Sequence, residues 1–294
     1  MDIHQNLLEE LVDSILSESK GSIPQCHYIV GERGYGKTSL LHAIRNNLSQ
    51  DVRFHFEYVN CLLSPELTVE YLGNVESDLR IVWLLDDFDS LISVSSKDTL
   101  YKLRGIIYSD GSPIIIGTGR ALLSQFTSCS SPLYDSFMLH TLNELDIYAG
   151  TKLVSEIRGS SEMLDGELLN EVFSIIGCTP ETCTLLASLR SYGKSANEIV
   201  SDTLRPLDTY FKSIVGVLTL PQRSIVIALL ELGKPALLRD IRTKTGMTSQ
   251  EIMSILLILS RKGLIDIKRS SARKTEYSIH EKLFTAWFQY FVRR

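Results

Sequence analysis

Short hydrophobic runs alternate with amphipathic stretches along the first half of the chain. Between the runs, apolar residues recur every three or four positions, as at Leu40, Leu41, Ile44 and Leu48, and this spacing predicts helices. The runs themselves predict buried strands at 26–30, 54–60, 81–85, 113–117 and 137–141. Strands that alternate with helices form parallel sheets with right-handed crossovers. We therefore predict an α/β fold with a five-stranded parallel sheet, preceded by an amphipathic helix at 3–16.

From residue 143 onward the hydrophobic pattern is helical. We predict a small helical lid in which Asn143 caps the first helix and Thr179 with Pro180 opens the last. The lid helices and a connecting helix are predicted at 144–158, 166–176, 181–192 and 207–217. Helices at 221–232, 236–245 and 248–262 and strands at 264–268 and 277–279 follow, and a last amphipathic helix packs on them. Three helices with a two-stranded wing make a winged helix, so the predicted domains are 1–142, 143–219 and 220–294.

The segment between the first strand and the next helix is the most specific in the chain. Residues 31–38 fit the phosphate-binding pattern Gly-x-x-x-x-Gly-Lys-[Ser/Thr], called Walker A, without a mismatch. Glycines let backbone N–H groups turn towards phosphate oxygens, and the following helix presents the positive end of its dipole. Lys37 is expected to be solvated and to reach the β- and γ-phosphates of ATP, and Thr38 to bind Mg²⁺. The predicted nucleotide-binding residues of this segment are Gly31, Glu32, Arg33, Gly34, Tyr35, Gly36, Lys37, Thr38 and Ser39.

Two further strand ends carry candidate catalytic groups. The hydrophobic run at 81–85 ends in Asp86 and Asp87, which has the form of Walker B. We assign Asp86 to Mg²⁺ and Asp87 to the attacking water, since one carboxylate can hold the metal while the next orients or deprotonates the water. The run at 113–117 is followed by Thr118 and Arg120, at the edge of an open α/β sheet that faces the ligand. Arg120 is a candidate sensor of the γ-phosphate, or a surface residue that begins the next helix. Asp89 is interpreted as a loop or cap residue.

Composition narrows the class of protein. With 44% hydrophobic and 22% charged residues, the chain is ordinary for a soluble globular protein. Its longest apolar runs are far shorter than the roughly 20 residues that a bilayer span requires. We expect no membrane association and a cytoplasmic location. Five cysteines form no Cys-x-x-Cys pair, which favours reduced thiols.

Charge is distributed unevenly along the chain. The formal net charge is −5, but residues 220–294 carry 14 Lys+Arg and 6 Asp+Glu, a net charge of +8. The preceding residues are therefore acidic, with a net charge of −13. A basic module on an acidic body is a candidate for binding duplex DNA, although basic surfaces are often merely solvated. The candidate phosphate contacts are Lys262, Lys268, Arg269, Arg273 and Lys274.

Taken together, these motifs resemble those of an AAA+-type ATPase. The resemblance is to the branch that contains the signal-transduction NTPases with numerous domains, the archaeal ATPases and the origin-recognition ATPases, and it covers nearly the whole chain. The segment 118–120 resembles the Thr-Thr-Arg sensor of the NB-ARC proteins. Gly-Cys-Thr-Pro at 177–180 is similar to the Gly-x-Pro of the family's helical lid, with one residue more, and implies a nucleotide contact at Pro180.

A third motif lies after the second wing strand. Ile-His-Glu at 279–281 resembles the Met-His-Asp motif of the NB-ARC proteins, whose histidine approaches the β-phosphate of ADP. The resemblance implies that His280 contacts ADP from the winged helix. Two departures from the family pattern favour a switch over a motor. Asp87 stands where many members have glutamate, and Glu181 stands where hydrolytic members have a sensor arginine.

Three functions are compatible with this sequence. The first is a slowly hydrolysing, ATP-dependent molecular switch that repositions the winged helix, using Mg²⁺ and either a protein partner or an ATP-dependent homo-oligomer. The second is an ATPase loader or regulator that assembles on duplex DNA through the winged helix. The third is a scaffold that binds nucleotide without turnover. The hydrolysis rate separates the third from the others, and salt-dependent DNA binding separates the first two.

Overall fold

The computed structural model describes residues 4–18, 22–64, 69–73, 77–159, 165–189, 193–271 and 274–293. The chain forms two compact units, Met1–Asn143 and Glu144–Arg294. The division between the units falls after Asn143, one residue beyond the predicted end of the first domain. The predicted domains, including the boundary between lid and winged helix, stay predictions. No helix in the described part of the chain is long and apolar enough to cross a membrane.

The first unit is a parallel sheet with helices packed on both faces. Its strands are β1 (His27–Val30), β2 (Phe54–Asn60), β3 (Arg80–Asp86), β4 (Ile114–Gly119) and β5 (Met138–Thr141). Its helices are α1 (Gln5–Ser17), α2 (Lys37–Leu48), α3 (Val69–Gly73), α4 (Phe88–Val94), α5 (Lys97–Ile107) and α6 (Ser124–Thr127). The strand order is β2-β3-β4-β1-β5, and every pair is parallel. The predicted five-stranded parallel sheet is confirmed.

Alternation along β3 shows how the two faces of the sheet are buried. Trp83 and Leu85 belong to a hydrophobic cluster on one face, together with residues of α3, α4 and α5. Val82 and Leu84 belong to the cluster on the other face, with α1 and α2. A strand that is covered on both faces is a continuous hydrophobic run in the sequence, and for this reason β3 could be predicted.

A chain of polar groups runs through the α1 side of the sheet. The Nδ1 atom of His27 on β1 lies 3.0 Å from Nε2 of His140 on β5. Nε2 of His27 lies 3.0 Å from the hydroxyl oxygen of Ser14 on α1, and Nδ1 of His140 lies 3.9 Å from Glu10. His27 is fully buried. Burial lowers the pKa of His27 to about 4, and the charge of His140 acts in the same direction.

This burial predicts a loss of stability in mild acid. The folded unit holds His27 neutral, so protons bind preferentially to the unfolded chain once the pH falls below the ordinary histidine pKa of about 6.5. We expect the free energy of unfolding of the first unit to fall by about 1.4 kcal/mol per pH unit between about pH 6.5 and 4. Hydrogen exchange of the β1 amides at several pH values measures this slope. His27→Gln should flatten the slope and exposed His55→Gln should not; an unchanged slope in His27→Gln would contradict the assignment.

The second unit begins with helices of the lid. They are α7 (Ile147–Arg158), α8 (Gly166–Ile176), α9 (Pro180–Ala187), α10 (Ala196–Leu204) and, after a single 3-10 turn at Arg205–Leu207, α11 (Asp208–Gly216). The predicted cap at Asn143 is wrong, because Asp146 caps α7 by accepting a hydrogen bond from the Ala149 N–H group. Thr179 caps α9 and Pro180 opens it, as predicted, but the helix ends at Ala187 and not at 192. Helix α10 was not predicted.

The rest of the second unit has the arrangement of a winged helix. Its elements are α12 (Leu220–Leu232), β6 (Ala236–Leu237), α13 (Leu238–Thr245), α14 (Ser249–Arg261), β7 (Ile265–Ser271), β8 (Lys274–Ile279) and α15 (Lys282–Phe291). The strand order is β6-β8-β7, and both pairs are antiparallel. The helix predicted at 236–245 was two residues too long, since Ala236 pairs with Tyr277 on β8. The wing strands extend into the predicted polar loop, and Arg273 lies outside the described residues.

One hydrophobic cluster spans the whole second unit. It includes Phe173 of α8, Val200 of α10, Phe211 of α11 and Leu256 of α14. The last helix, α15, joins this cluster through Phe284, Trp287 and its neighbours. The prediction that the aromatic side of the last helix packs into the core is confirmed for Leu283, Phe284, Trp287 and Phe288, whereas Phe291 is 36% exposed.

Candidate functional site

The strand order brings three loops to one edge of the sheet. β1 lies next to β4, and β4 lies next to β3. Because the strands are parallel, their carboxyl ends lie along the same edge. The glycine-rich loop after β1, the acidic pair at the end of β3 and Thr118 near the end of β4 are therefore neighbours. This edge is the candidate nucleotide site.

Glycine is required in this loop for two different structural reasons. Gly34 and Gly36 have φ angles of 81° and 87°, in the left-handed region that other residues rarely adopt. A Cβ atom at Gly31 would instead lie 3.0 Å from the Cβ atom of Leu142, so close packing requires glycine there. Helix α2 starts directly after Gly36, and its first N–H groups point towards the loop, as phosphate binding requires.

Lys37 is buried, with 8% of its surface exposed, and the expectation that it would be solvated is wrong. Its ammonium group donates hydrogen bonds to the carbonyl oxygens of Gly31 and Glu32, at 2.7 and 2.8 Å. Burial lowers the pKa of Lys37, while the carboxylates of Asp87, Asp86 and Asp89 act in the opposite direction. The lysine is thus held inside the loop, where a phosphate group could compete with the two carbonyl oxygens.

Asp86 is the centre of the hydrogen-bond network. Its carboxylate accepts hydrogen bonds from the hydroxyl groups of Thr38 and Thr118, both at 2.6 Å, and from the Tyr58 hydroxyl at 3.2 Å. The donors come from α2, β4 and β2, so one buried carboxylate links three neighbouring elements. Burial and the charge of Asp86 raise the pKa of Tyr58 to about 12, which keeps the phenol protonated as a donor. The structure therefore brings Thr38 and Asp86 together, as the sequence motifs predicted, and it adds Thr118 to the same carboxylate.

Asp87 has an unusual backbone conformation. Its φ angle of 51° is in the left-handed region, which costs energy for a residue with a side chain and is frequent at functional sites. Its N–H group donates to the hydroxyl oxygen of Thr118 at 3.2 Å. The side-chain amide of Asn60 lies 3.5 Å from its carboxylate. The Asp87 carboxylate therefore lies beside Asn60.

Arg120 is exposed, and it contacts Asp89 through its backbone. The Arg120 N–H group donates to the Asp89 carboxylate at 2.9 Å. The positive charge of Arg120 adds to burial in lowering the pKa of Lys37. Burial raises the pKa of Asp89, and the negative charge of Asp87 adds to this effect. Asp89 is therefore a third carboxylate at this edge of the sheet, whereas a role in a loop or cap was expected.

The available oxygen atoms suit a magnesium ion. The Thr38 hydroxyl and the Asp86 carboxylate are hard oxygen donors that lie side by side. Mg²⁺ usually takes one or two such protein oxygens and completes its shell with phosphates and water. Among the residues that the structure describes, no cluster of three or more His, Cys, Asp or Glu could hold a metal. The donor set thus fits Mg²⁺ bound together with a nucleotide, and the two metal assignments stay predictions.

Gly119 offers a test of how tightly this edge is packed. A Cβ atom there would overlap the Tyr28 hydroxyl and lie 2.9 Å from Cγ of Asp89. We expect Gly119→Ala to reduce the stability of the first unit by about 1–3 kcal/mol, as overpacking does. Gly105→Ala, in the exposed part of α5 with no atom near the new methyl group, is the matched control and should stabilise the helix by about 0.5–1 kcal/mol. Urea titration compares the two variants, and equal stability of Gly119→Ala and wild type would contradict the packing.

The second unit holds the remaining predicted residues. Pro180 is buried at the start of α9. The His280 N–H group donates to the Leu264 carbonyl, and Nδ1 of its ring lies 2.7 Å from the Asp266 carboxylate on β7. The hydrogen bond from His280 lowers the pKa of Asp266. The nucleotide contacts of Pro180 and His280 stay predictions.

The sequence analysis did not predict the roles of three residues at the site. Tyr58 and Asn60 lie two positions apart near the carboxyl end of β2, on one face of the strand, and both contact the acidic pair. Polar residues in alternate positions at a parallel strand's end were the available signal. There was no comparable indication in the sequence for Asp89. This residue lies in the first turn of α4, a helix that was not predicted.

Comparison with known proteins gives structural similarity at low sequence identity. No protein-family model matches the chain, and no curated protein matches it. The Walker-type ATPase PABY2304 of Pyrococcus abyssi is 14% identical, with 98% of this chain and 95% of that chain covered and a TM-score of 0.70. The Orc1 protein of Aeropyrum pernix, solved in complex with DNA, is 14% identical, with 97% and 91% covered and a TM-score of 0.55. The RuvB Holliday junction branch migration motor of Thermotoga maritima is 17% identical, with 93% and 92% covered and a TM-score of 0.50.

The structural similarity defines the fold. The chain has the fold of a P-loop ATPase of the AAA+ type, with a five-stranded parallel sheet, a helical lid and a winged helix. Its fold is similar to that of the Pyrococcus abyssi Walker-type ATPase and of the Aeropyrum pernix Orc1 protein. The family resemblance read from the motifs is confirmed at the level of the fold.

Proposed function

We propose that this protein is a molecular switch that binds ATP with Mg²⁺, hydrolyses it slowly, and repositions its winged helix according to the bound nucleotide. The observation that carries the proposal is the network centred on Asp86. It joins the predicted metal ligands, Thr38 and Asp86, to Thr118, a predicted nucleotide-binding residue, through two bonds of 2.6 Å. A nucleotide that engages Thr38 therefore acts on the same carboxylate that holds β4.

Each residue at this edge has a defined chemical task in the proposal. The loop at 31–39 supplies backbone N–H groups and Lys37 for the phosphates, and bound Mg²⁺ would neutralise charge on the β- and γ-phosphates. Asp87 orients the attacking water and accepts its proton. Arg120 stabilises negative charge that develops on the γ-phosphate, as a positioned guanidinium does.

Slow hydrolysis follows from the geometry of Asp87. Aspartate is one methylene shorter than the glutamate found at this position in many members of the class, so its carboxylate reaches less far from the backbone. The amide of Asn60 also lies 3.5 Å from that carboxylate and competes with water for it. Slow turnover suits a switch, because the lifetime of the ATP state then sets the duration of the signal.

Hydrogen–deuterium exchange on the full chain tests the switch. We expect residues 31–39 to be protected by both Mg·ADP and a non-hydrolysable ATP analogue with Mg²⁺. Exchange in β7, β8 and α15 should differ between the two nucleotides, because only differential contacts can shift the conformation. Absence of protection at 31–39 would reject nucleotide binding. Protection there with identical exchange in the second unit would reject the switch and favour the nucleotide-binding scaffold.

His280 gives a sharper test of how the winged helix reads the nucleotide. The Asp266 carboxylate engages Nδ1, which fixes the ring orientation, so a phosphate contact would use Nε2. We expect His280→Ala to weaken ADP binding about tenfold and ATP binding much less, since hydrogen bonds to charged groups contribute about 1.5–3 kcal/mol. Calorimetry with each nucleotide measures the two affinities. Asp266→Asn retains the histidine and should give a smaller effect; equal ADP affinity in His280→Ala and wild type would reject the contact.

A DNA-binding loader is the second candidate. The net charge of +8 in residues 220–294 favours it, and so does the likeness to an Orc1 protein solved in complex with DNA. Lys262 and Lys268 are exposed, as phosphate contacts require. About four contacts would make log K fall with log salt at a slope near −0.9 per contact. Anisotropy of a labelled duplex with the full chain at several salt concentrations distinguishes this candidate, because a flat salt dependence or no binding at low salt excludes it.

A further inference from the structure

Helix α14 has two hydrophobic faces, and only one of them is buried in the second unit. Ile252, Leu256 and Leu259 are at most 1% exposed and belong to the core. Met253, Leu257 and Ile258 are 50%, 51% and 41% exposed, on the outward side. Large apolar side chains that cluster on an exposed helix face mark an interaction surface more often than single ones do. We call these three side chains the outer face of α14.

A groove beside α13 extends this face at its N-terminal end. Its volume is about 580 Å³, and its lining residues are Leu238, Arg239, Arg242, Thr243 and Ser249. Ser249, Met253 and Leu257 are spaced four residues apart, so they form one stripe along α14. The groove and the outer face are therefore continuous on α14.

The charges around the outer face are mainly positive. Arg239 and Arg242 line the groove, and both are exposed. Lys262, which is also exposed, follows Ile258 by one turn at the other end of the helix. Asp240 lies 3.6 Å from Arg239 and accepts a hydrogen bond from the Leu237 N–H group. The Glu251 carboxylate is engaged by Thr248 at the helix start.

We propose that the outer face of α14 and its groove bind an amphipathic helix of a partner protein, with apolar residues on one side and acidic residues on its flanks. Helices that dock in grooves insert apolar residues spaced at i, i+3 or i+4 and i+7, which matches a stripe of this length. Acidic flanks would face Arg239, Arg242 and Lys262. The proposal concerns the output of the winged helix and does not depend on nucleotide hydrolysis.

The chemistry of the face favours this occupant over duplex DNA. Base edges are read by side chains that hydrogen-bond, and Met253, Leu257 and Ile258 have no such groups. The same charges disfavour a second copy of the chain on this face, because residues 220–294 carry a net charge of +8 and two such surfaces repel each other.

Fluorescence anisotropy of the full chain with labelled model peptides tests the proposal. The probe is a helical peptide of about 18 residues with leucines along one side and glutamates on the flanks. The comparison peptide has lysine in place of each glutamate. We expect the glutamate peptide to bind, and the double substitution Met253→Gln and Leu257→Gln to weaken it by about tenfold or more, since burial of such side chains stabilises a complex. Arg242→Glu should weaken the glutamate peptide and strengthen the lysine peptide.

Val217→Gln is the matched control, because Val217 is a 78% exposed apolar residue elsewhere in the second unit. It should leave peptide binding unchanged. Equal binding of the two peptides, or no effect of the double substitution, would overturn the proposal. The proposal would also be overturned if wild type bound a 20-bp duplex and the double variant did not, because the outer face of α14 would then read bases. A dimer seen by sedimentation in wild type and lost in the double variant would assign the face to a second copy.

Discussion

ATP binding is expected to weaken by about 100-fold in Lys37→Ala, and turnover should disappear with it. Charge-assisted hydrogen bonds to phosphate contribute about 1.5–3 kcal/mol each, and the ammonium group is placed to make more than one. The structure adds a second effect, because Lys37 also donates to the carbonyl oxygens of Gly31 and Glu32. Loss of these bonds should loosen the loop without unfolding the sheet. Labelled ATP titration measures the affinity.

Circular dichroism of the same sample shows whether the sheet is intact. The matched control is Lys102→Ala, since the Lys102 ammonium is exposed and bonds to Glu70 on the surface. Surface pairs contribute little, so this variant should bind ATP like wild type. A folded Lys37→Ala protein with unchanged ATP affinity would show that the glycine-rich loop is not a phosphate site.

Asp87→Asn should slow hydrolysis by about 10²–10⁴-fold and leave ATP affinity unchanged. A positioned general base contributes about this factor, and an amide cannot accept the proton. Asparagine is the right replacement because it tolerates the left-handed backbone that Asp87 adopts, with a φ angle of 51°, whereas alanine would add strain. Single-turnover hydrolysis and equilibrium binding of ATP give the two quantities separately.

Asp98→Asn, on the exposed start of α5, is the charge-matched control and should retain wild-type turnover. If Asp87→Asn weakened binding as much as hydrolysis, the carboxylate would be a metal ligand or a structural group. If hydrolysis were unaffected, the water-positioning role would pass to another group, with Asp89 the nearest candidate because its Cγ atom lies beside Gly119 at the same edge.

The sequence predicted the elements of the nucleotide unit because hydrophobic burial leaves a periodic signal. β3 and β4 are covered on both faces, so each reads as an unbroken apolar run. The strand order left no such signal, since it depends on packing between distant segments. The proximity of Thr118 to Asp86 followed only from the position of β4 between β3 and β1.

The errors have local physical causes. Asparagine and aspartate are both good N-caps, so the sequence did not distinguish Asn143 from Asp146. In the structure the Leu145 N–H group donates to the Cys178 carbonyl, and α7 begins after Asp146. Ala236 is in a strand because it pairs with Tyr277 on β8, and such a long-range pairing cannot be read from local propensity. Lys37 was expected in solvent because lysine is rarely buried, but the loop carbonyl oxygens compensate for its burial.

The packing of Phe211 on α15 determines where the second unit can be cut into fragments. Its ring lies 5.2 Å from that of Phe284 and 5.6 Å from that of Trp287, and the Trp287 indole donates to Asp208. A fragment that began at Leu220 would lose Phe211 and Asp208 and expose the aromatic side of α15 to water. We therefore expect the winged helix to unfold together with the lid, and the excised winged helix to aggregate because its aromatic side chains are exposed.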